Sequence, residues 1–244
     1  MYHSFFIKFF VCVFLLGTYS YTQSAPYKKH APWVGDTLQG IPCRGPSMRF
    51  GPFDYLYRHQ LPGKLGIVEK HHFDPNVEQL VKGQTTTSPM GDISYTLTAW
   101  PNHHRALYSA IRYRLNTWKS TTKSRYTNAE CFLQRAIHFS PKDGTTYMLY
   151  GILLHQTGHK SAALENYRKA LAIQPQNAQT KYNLALLLVD LKEYVEAKEY
   201  AVELYSKGYP LPGLKDNLKS AGQWHAEDEK KLHTDLNGIS KVEQ

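Results

Sequence analysis

Two adjacent histidine pairs, His71-His72 and His103-His104, are the residues of this chain best equipped for chemistry. Imidazole ligates transition metals and exchanges protons near neutral pH. Their spacing restricts that chemistry. Neighbours on a helix diverge by about 100° around its axis, so His103 and His104 cannot both reach one metal from a single face. His71 and His72, read as loop residues, are freer, and His30 and His59 lie near them in sequence. Metal or haem handling by these pairs is therefore one reading, set against histidines that cap helices or face solvent. Other reactive patterns are missing from the sequence: no nucleophile elbow, phosphate-cradling glycine loop, Cys-x-x-Cys pair or His-Glu-x-x-His helix. Asp74-Pro75-Asn76 and Asp92-Ile93 read as caps or turns, not as catalytic carboxylates. No catalytic residue, metal ligand or cofactor is assigned, and the expectation is a protein that is not an enzyme.

The elements that would position any such chemistry begin with a processing segment. Lys8 is followed by the apolar run from Phe9 to Leu16 and then by small and polar residues from Gly17 to Ala25. Basic, apolar, small is the order of a secretory signal, and the run is too short to span a bilayer. Residues 1–25 are read as that signal, with cleavage after Ser20 or Ala25. The remainder has no stable membrane span and is expected to be exported, periplasmic or secreted. Removing it also removes Cys12 and leaves Cys43 and Cys131 in a compartment where disulfides persist. A bridge between these two and a pair of separate thiols are both open, because sequence does not fix the Cα separation.

Lys and Arg number 29 against 20 Asp and Glu, a formal charge of +9. That balance eases the approach of an acidic partner. It does not indicate nucleic acid, since the basic residues are dispersed and neither a recognition-helix pattern nor zinc-finger spacing accompanies them.

Residues 26–100 read as an irregular N-terminal region with one short helix. Gly45-Pro46, Gly51-Pro52 and Pro62-Gly63 are turn signals, while Phe50, Phe53, Tyr55 and Tyr57 are too dense for a bare linker and should pack on helices. Asp74 to Gly83 carries an N-cap Asp, a Pro at the first helical position and a Gly beyond the end, which predicts the helix. Asp92 opens a brief segment ending at Trp100.

From Pro101 onward the chain repeats. Ala129, Ala163 and Ala197 are 34 residues apart, as are Ala136, Ala170 and Leu204, and so are Pro141 and Pro175. Self-similarity at that period marks stacked helical hairpins. The clearest unit runs from Gly144 to Asn177. Tyr147, Tyr150, Gly151 and Leu154 share a face of its first helix, Gly158 turns the chain, and Ala163, Tyr167 and Ala170 line the second. The flanking units depart from this: Lys181 and Ala201 stand where aromatics are usual, and Arg114 falls at a core position. Leu211, Leu214 and Leu218, followed by Gly222, predict a closing helix. The array covers residues 101–222, about three hairpins plus that helix, and residues 223–244 form a polar tail.

These positions resemble the tetratricopeptide repeat (TPR) family, and with the signal segment, Phe50-Gly51-Pro52-Phe53-Asp54-Tyr55 and Pro101-Asn102-His103-His104-Arg105, they are similar to a group of exported bacterial proteins with such arrays. The resemblance implies an all-α fold: a short TPR-like hairpin array behind an aromatic-rich N-terminal region. It implies a non-catalytic scaffold that binds a protein or peptide, an acidic one among the candidates, in a concave groove lined by the first helix of each hairpin. Carried onto this sequence, the groove positions are Arg105, Tyr108, Arg112 and Leu115, then Thr145, Met148, Ile152 and His155, then Gln179, Tyr182, Leu186 and Val189. Of these, Arg105, Tyr108, Arg112, Met148, Ile152, His155, Gln179, Tyr182 and Leu186 are the expected peptide-binding set. The same stripe would serve equally to bury the chain's own N-terminal aromatic segment, and that alternative stays open here.

Overall fold

The computed structural model describes residues 30–47, 50–117, 126–230 and 232 of the chain, so the expected signal segment lies outside the described residues. The described residues are all-α, with a 3-10 turn at Tyr55–Gln60 and one isolated antiparallel bridge between Asp36 and Pro42. The helices are α1 (Pro62–His72), α2 (Pro75–Glu78), α3 (Pro89–Ala99), α4 (His104–Thr117), α5 (Ala129–Phe139), α6 (Gly144–Gln156), α7 (Lys160–Ile173), α8 (Ala178–Asp190), α9 (Tyr194–Ser206) and α10 (Gly213–Ser220). None is long and apolar enough to cross a membrane.

The 34-residue register becomes three antiparallel pairs, α4 with α5, α6 with α7 and α8 with α9, and α10 packs on α8 and α9. Small residues set how close the paired helices come. Ala163, Ala170, Ala197 and Ala201 are wholly buried, and a Cβ placed on Gly151 would stand 2.6 Å from the Tyr167 ring. Glycine at 151 is thus the condition for Tyr167 to fill the seam. The departures from the pattern are met by ion pairs: Arg114 binds the buried Glu130 at 3.1 Å, and Lys181 binds Glu203. Gly158 takes φ +85° at the turn of the middle unit, and Lys192 adopts φ 65° at the equivalent turn one repeat later.

Upstream of Pro101 the structure is more regular than the sequence suggests. α1 packs on α3 and α3 packs on α4, so a further helix pair precedes the three expected hairpins. The glycines and proline at its start concealed α1, yet Pro62 occupies the first helical turn, where a missing N–H costs nothing. α3 begins at Pro89 rather than Asp92, with the Ser88 hydroxyl accepting from Met90 N. The insertion between α1 and α3 holds α2 and breaks the period. The expected helix at Asp74 is real, its carboxylate accepting from Val77 N at 2.8 Å, but it ends at Glu78 rather than near Gly83. Leu80 supplies the positive φ, 64°, that a C-terminal glycine usually provides, and its side chain packs against the main core.

Two N-terminal stretches dock on this frame. Residues 30–47 lie along α5: Trp33 meets Phe132 edge-on at 5.3 Å, Leu38 N donates to Glu130 at 3.2 Å, and Gln134 donates to Asp36 O at 2.7 Å. The Cys43 and Cys131 sulfurs stand at bonding distance, with Cα atoms 5.4 Å apart, which staples this strap to α5. Residues 50–61 pack instead against the end of α3, where Phe53, Tyr55, Val68, Ala99 and Trp100 form a second, smaller core. The polar tail also starts later than its composition suggests. Trp224 is buried against the main core and donates to Glu229 at 3.0 Å, while residues 233–244 lie outside the described residues.

Candidate functional site

The first helices of the second and third hairpins, α6 and α8, turn their stripes toward a common hollow of about 530 Å³. Positions at i, i+3 and i+7 share one helical face, so the register that packs the hairpins also sets this lining. Tyr108, Met148, Ile152, His155, Gln179 and Leu186 border it, together with Leu149, Gln156, Tyr167, Asn183 and Leu211. Four of the expected set, Tyr108 on α4 and Met148, Ile152 and His155 on α6, therefore share a cavity with Gln179 and Leu186 of α8. Tyr108 and Leu211 are 47% and 44% exposed, which leaves apolar surface open to solvent.

The hollow carries almost no net charge. No lysine, arginine, aspartate or glutamate is among its lining residues, and His155 binds Asp190 through Nε2 at 2.8 Å. Its polar groups are amides. Gln179 donates to Asn183 Oδ1 at 3.1 Å and accepts from the Tyr209 hydroxyl at 2.9 Å. Asn183 Nδ2 is buried and has no hydrogen-bond partner among the described residues.

Three expected groove residues are engaged elsewhere. Arg105 donates to the Glu78 carboxylate, through Nε to Oε1 at 2.8 Å and through Nη2 to Oε2, and lies 3.7 Å from Glu69. The Glu78 carbonyl accepts from Ser109 Oγ at 2.8 Å and from Arg112 Nη2. Short helix α2 thus meets the arginines from within the chain, and Val77, fully buried beside them, anchors it. The bond to Arg105 lowers the Glu78 carboxyl below its usual range and raises the Arg105 guanidinium. Tyr182 is buried and packs on Tyr209 at 5.0 Å, beside the start of α10. Its place in the third hairpin made it look like lining; the closing segment covers it.

The strap at residues 30–47 sits on Glu130, Gln134 and Arg135 of α5, and residues 50–61 sit on Trp100. Neither stretch contributes to the lining of the α6–α8 hollow. Asn183, Gln156 and Leu211 were not expected to line the groove. Asn183 is one place from the expected stripe, and Leu211, whose spacing to Leu214 and Leu218 read as the closing helix, lies in the loop before α10.

The histidine pairs hold the N-terminal pieces together. His72 Nδ1 lies 2.9 Å from Asp92 Oδ1, and its ring stacks on Tyr95 with centroids 3.8 Å apart. Asp92 also accepts from Gln84 N at 2.8 Å, Thr86 N at 3.1 Å and the hydroxyls of Thr85 and Thr86. Burial opposes its charge, but the bonds from Thr85, His72, Gln84 and Thr86 prevail and bring its carboxyl down to about 2. His104 Nε2 lies 2.8 Å from Asp143, which with Asp54 accepts from the buried amide of Asn102. His103 bonds Glu69 at 3.0 Å. Among the described residues no three His, Cys, Asp or Glu side chains form a group able to hold a metal.

A family model described as tetratricopeptide repeat matches residues 67–222. Its start inside α1 agrees with the additional helix pair ahead of Pro101. No curated protein matches the chain.

Proposed function

Because the chain belongs to the tetratricopeptide repeat family, whose arrays suggest protein-interaction scaffolds, we propose that it is an exported, non-catalytic scaffold holding an extended, uncharged segment of a partner protein in the α6–α8 hollow. The carrying observation is the lining: Met148, Ile152 and Leu186 offer aliphatic contact, Gln179 and Asn183 add amides, and no charged side chain stands there to select for the opposite sign. Burial of apolar surface would supply most of the affinity, and the amides would set the register of the bound chain. Arg105 and Arg112, the two cations of the expected groove set, are bonded by Glu78.

Fluorescence anisotropy with labelled ten-residue peptides tests this. Aliphatic, uncharged peptides should bind, and acidic ones should bind no better. Ile152→Glu buries a charge in the seat and is expected to weaken binding by about tenfold, equivalent to about 1.4 kcal/mol. Arg105→Ala should leave it unchanged. A preference for acidic peptides that disappears in Arg105→Ala would place recognition at the arginines and overturn the proposal.

Export rests on the order of Lys8, Phe9 to Leu16 and Gly17 to Ala25. The intact mass of the protein from its native host should lack roughly 20 to 25 N-terminal residues, a usual signal length. It should also be lighter by the two hydrogens lost when Cys43 and Cys131 bond. A full-length, fully reduced mass would contradict both expectations.

A further inference from the structure

His103 stands at the N-cap position of α4 with no exposed surface, and both of its ring nitrogens are committed. Ala106 N donates to Nδ1 at 3.1 Å, so Nδ1 carries no proton, and Nε2 must therefore be the N–H that donates to Glu69 Oε1 at 3.0 Å. Only the neutral Nε2–H tautomer satisfies both bonds. The ring is also the hub of a seam. The Tyr55 ring lies 4.6 Å from it, the Phe73 ring 5.0 Å, and Glu69 reaches it from α1.

We propose that His103 is an acid-sensitive pin: protonation at Nδ1 in mild acid displaces the Ala106 N–H and loosens the seam that holds α1 and the Tyr55 turn against the start of α4. The charged and titratable groups around it set the direction. Glu69 on α1 favours the imidazolium, and Glu78 on α2 does so from farther off. His104 and Arg105 on α4 oppose it, as does the positive end of the α4 dipole. Tyr55 is neutral in this range, since burial raises its hydroxyl. Burial outweighs the attraction of Glu69 and holds the His103 imidazole below its ordinary value of 6.5. In the pH interval below 6.5 the unfolded or opened chain then binds a proton that the closed one does not, so stability of the seam falls as pH falls. Glu69, held low mainly by its bond from His103, stays ionised throughout that interval and contributes no slope there.

The experiment is hydrogen exchange by NMR on the full chain, with rates corrected for intrinsic pH dependence. Between pH 7 and pH 5.5 the protection of Ala106 and of α1 amides should drop, by at most about tenfold, the limit for one proton fully excluded from the closed state. Amides of α8 and α9 should keep theirs. His103→Asn retains a good N-cap acceptor without a titratable group and should flatten the drop. Histidine side-chain NMR on the unmutated protein supplies the second readout, with His103 expected as the Nε2–H tautomer at neutral pH. Equal loss of protection in His103→Asn, or titration of His103 at or above its ordinary value, would overturn the proposal.

Discussion

Arg135→Met is expected to lower the stability of the protein by about 3 kcal/mol, the range for breaking a buried, hydrogen-bonded charge. The side chain is 1% exposed and reaches two separate pieces of the fold, the end of α3 and the strap. Its Nη1 donates to Leu97 O at 2.7 Å and its Nη2 to Thr98 O at 3.5 Å, the last carbonyls of α3. Its Nε donates to Ala31 O at 2.8 Å, and the guanidinium lies 4.8 Å from the centre of the Trp33 ring. A cation at a helix C-terminus is favourably placed against the dipole, and here it also meets carbonyls that no other N–H supplies within the helix. Burial brings the group down to about 10, which still leaves it charged at neutral pH. Methionine would keep the volume of the stem but strand those carbonyls, so urea denaturation should show an earlier midpoint. The strap from residue 30 should also become more accessible to protease. A midpoint shift corresponding to less than about 1 kcal/mol, the scale of one ordinary hydrogen bond, would mean that the network contributes little beyond packing.

Gly151→Leu is expected to cost about 3 kcal/mol or more, at the upper end for overpacking a close seam. An added Cβ alone would stand 2.6 Å from Tyr167, whose ring is 1% exposed and cannot swing into solvent without opening the α6–α7 pair. Gly144→Ala meets its nearest neighbour at 3.0 Å, the flexible tip of Gln174, and should be milder. The comparison separates helix propensity from sterics, because both glycines lie in α6 and alanine is the better helix former at either. If Gly151→Leu melts as the unmutated protein does, the seam is not closed by that contact.

The contrast between these two sites also explains what could be read from the chain. Gly151, Ala163, Tyr167 and Ala170 repeat because hairpin packing is local and periodic, so the array, its register and most of its groove positions were legible. Arg135 was not. Its role depends on carbonyls of α3 and on Ala31, which lie 37 to 104 residues away in sequence and follow no period. α1 escaped for a different reason, since Pro62, Gly63 and Gly66 have turn chemistry, although the first helical turn tolerates the proline. In the groove, helical spacing put Met148, Ile152, Gln179 and Leu186 on one stripe, and the structure has them line one hollow. It could not show that Glu78, from an insertion outside the repeat, meets Arg105 and Arg112, nor that α10 and Tyr209 cover Tyr182.

The seat of the bound segment is the point on which the account turns. A ten-residue uncharged aliphatic peptide carrying a photoreactive benzophenone at its centre can be crosslinked to the protein, and the adducts mapped by mass spectrometry. Adducts confined to the wall of the hollow, on the α6 and α8 stripes and at Tyr108, Tyr167 and Leu211, saturable and suppressed by Ile152→Glu, are the predicted result. Adducts on α5 or α9, or labelling that rises with peptide concentration without saturating, would contradict a binding groove between α6 and α8.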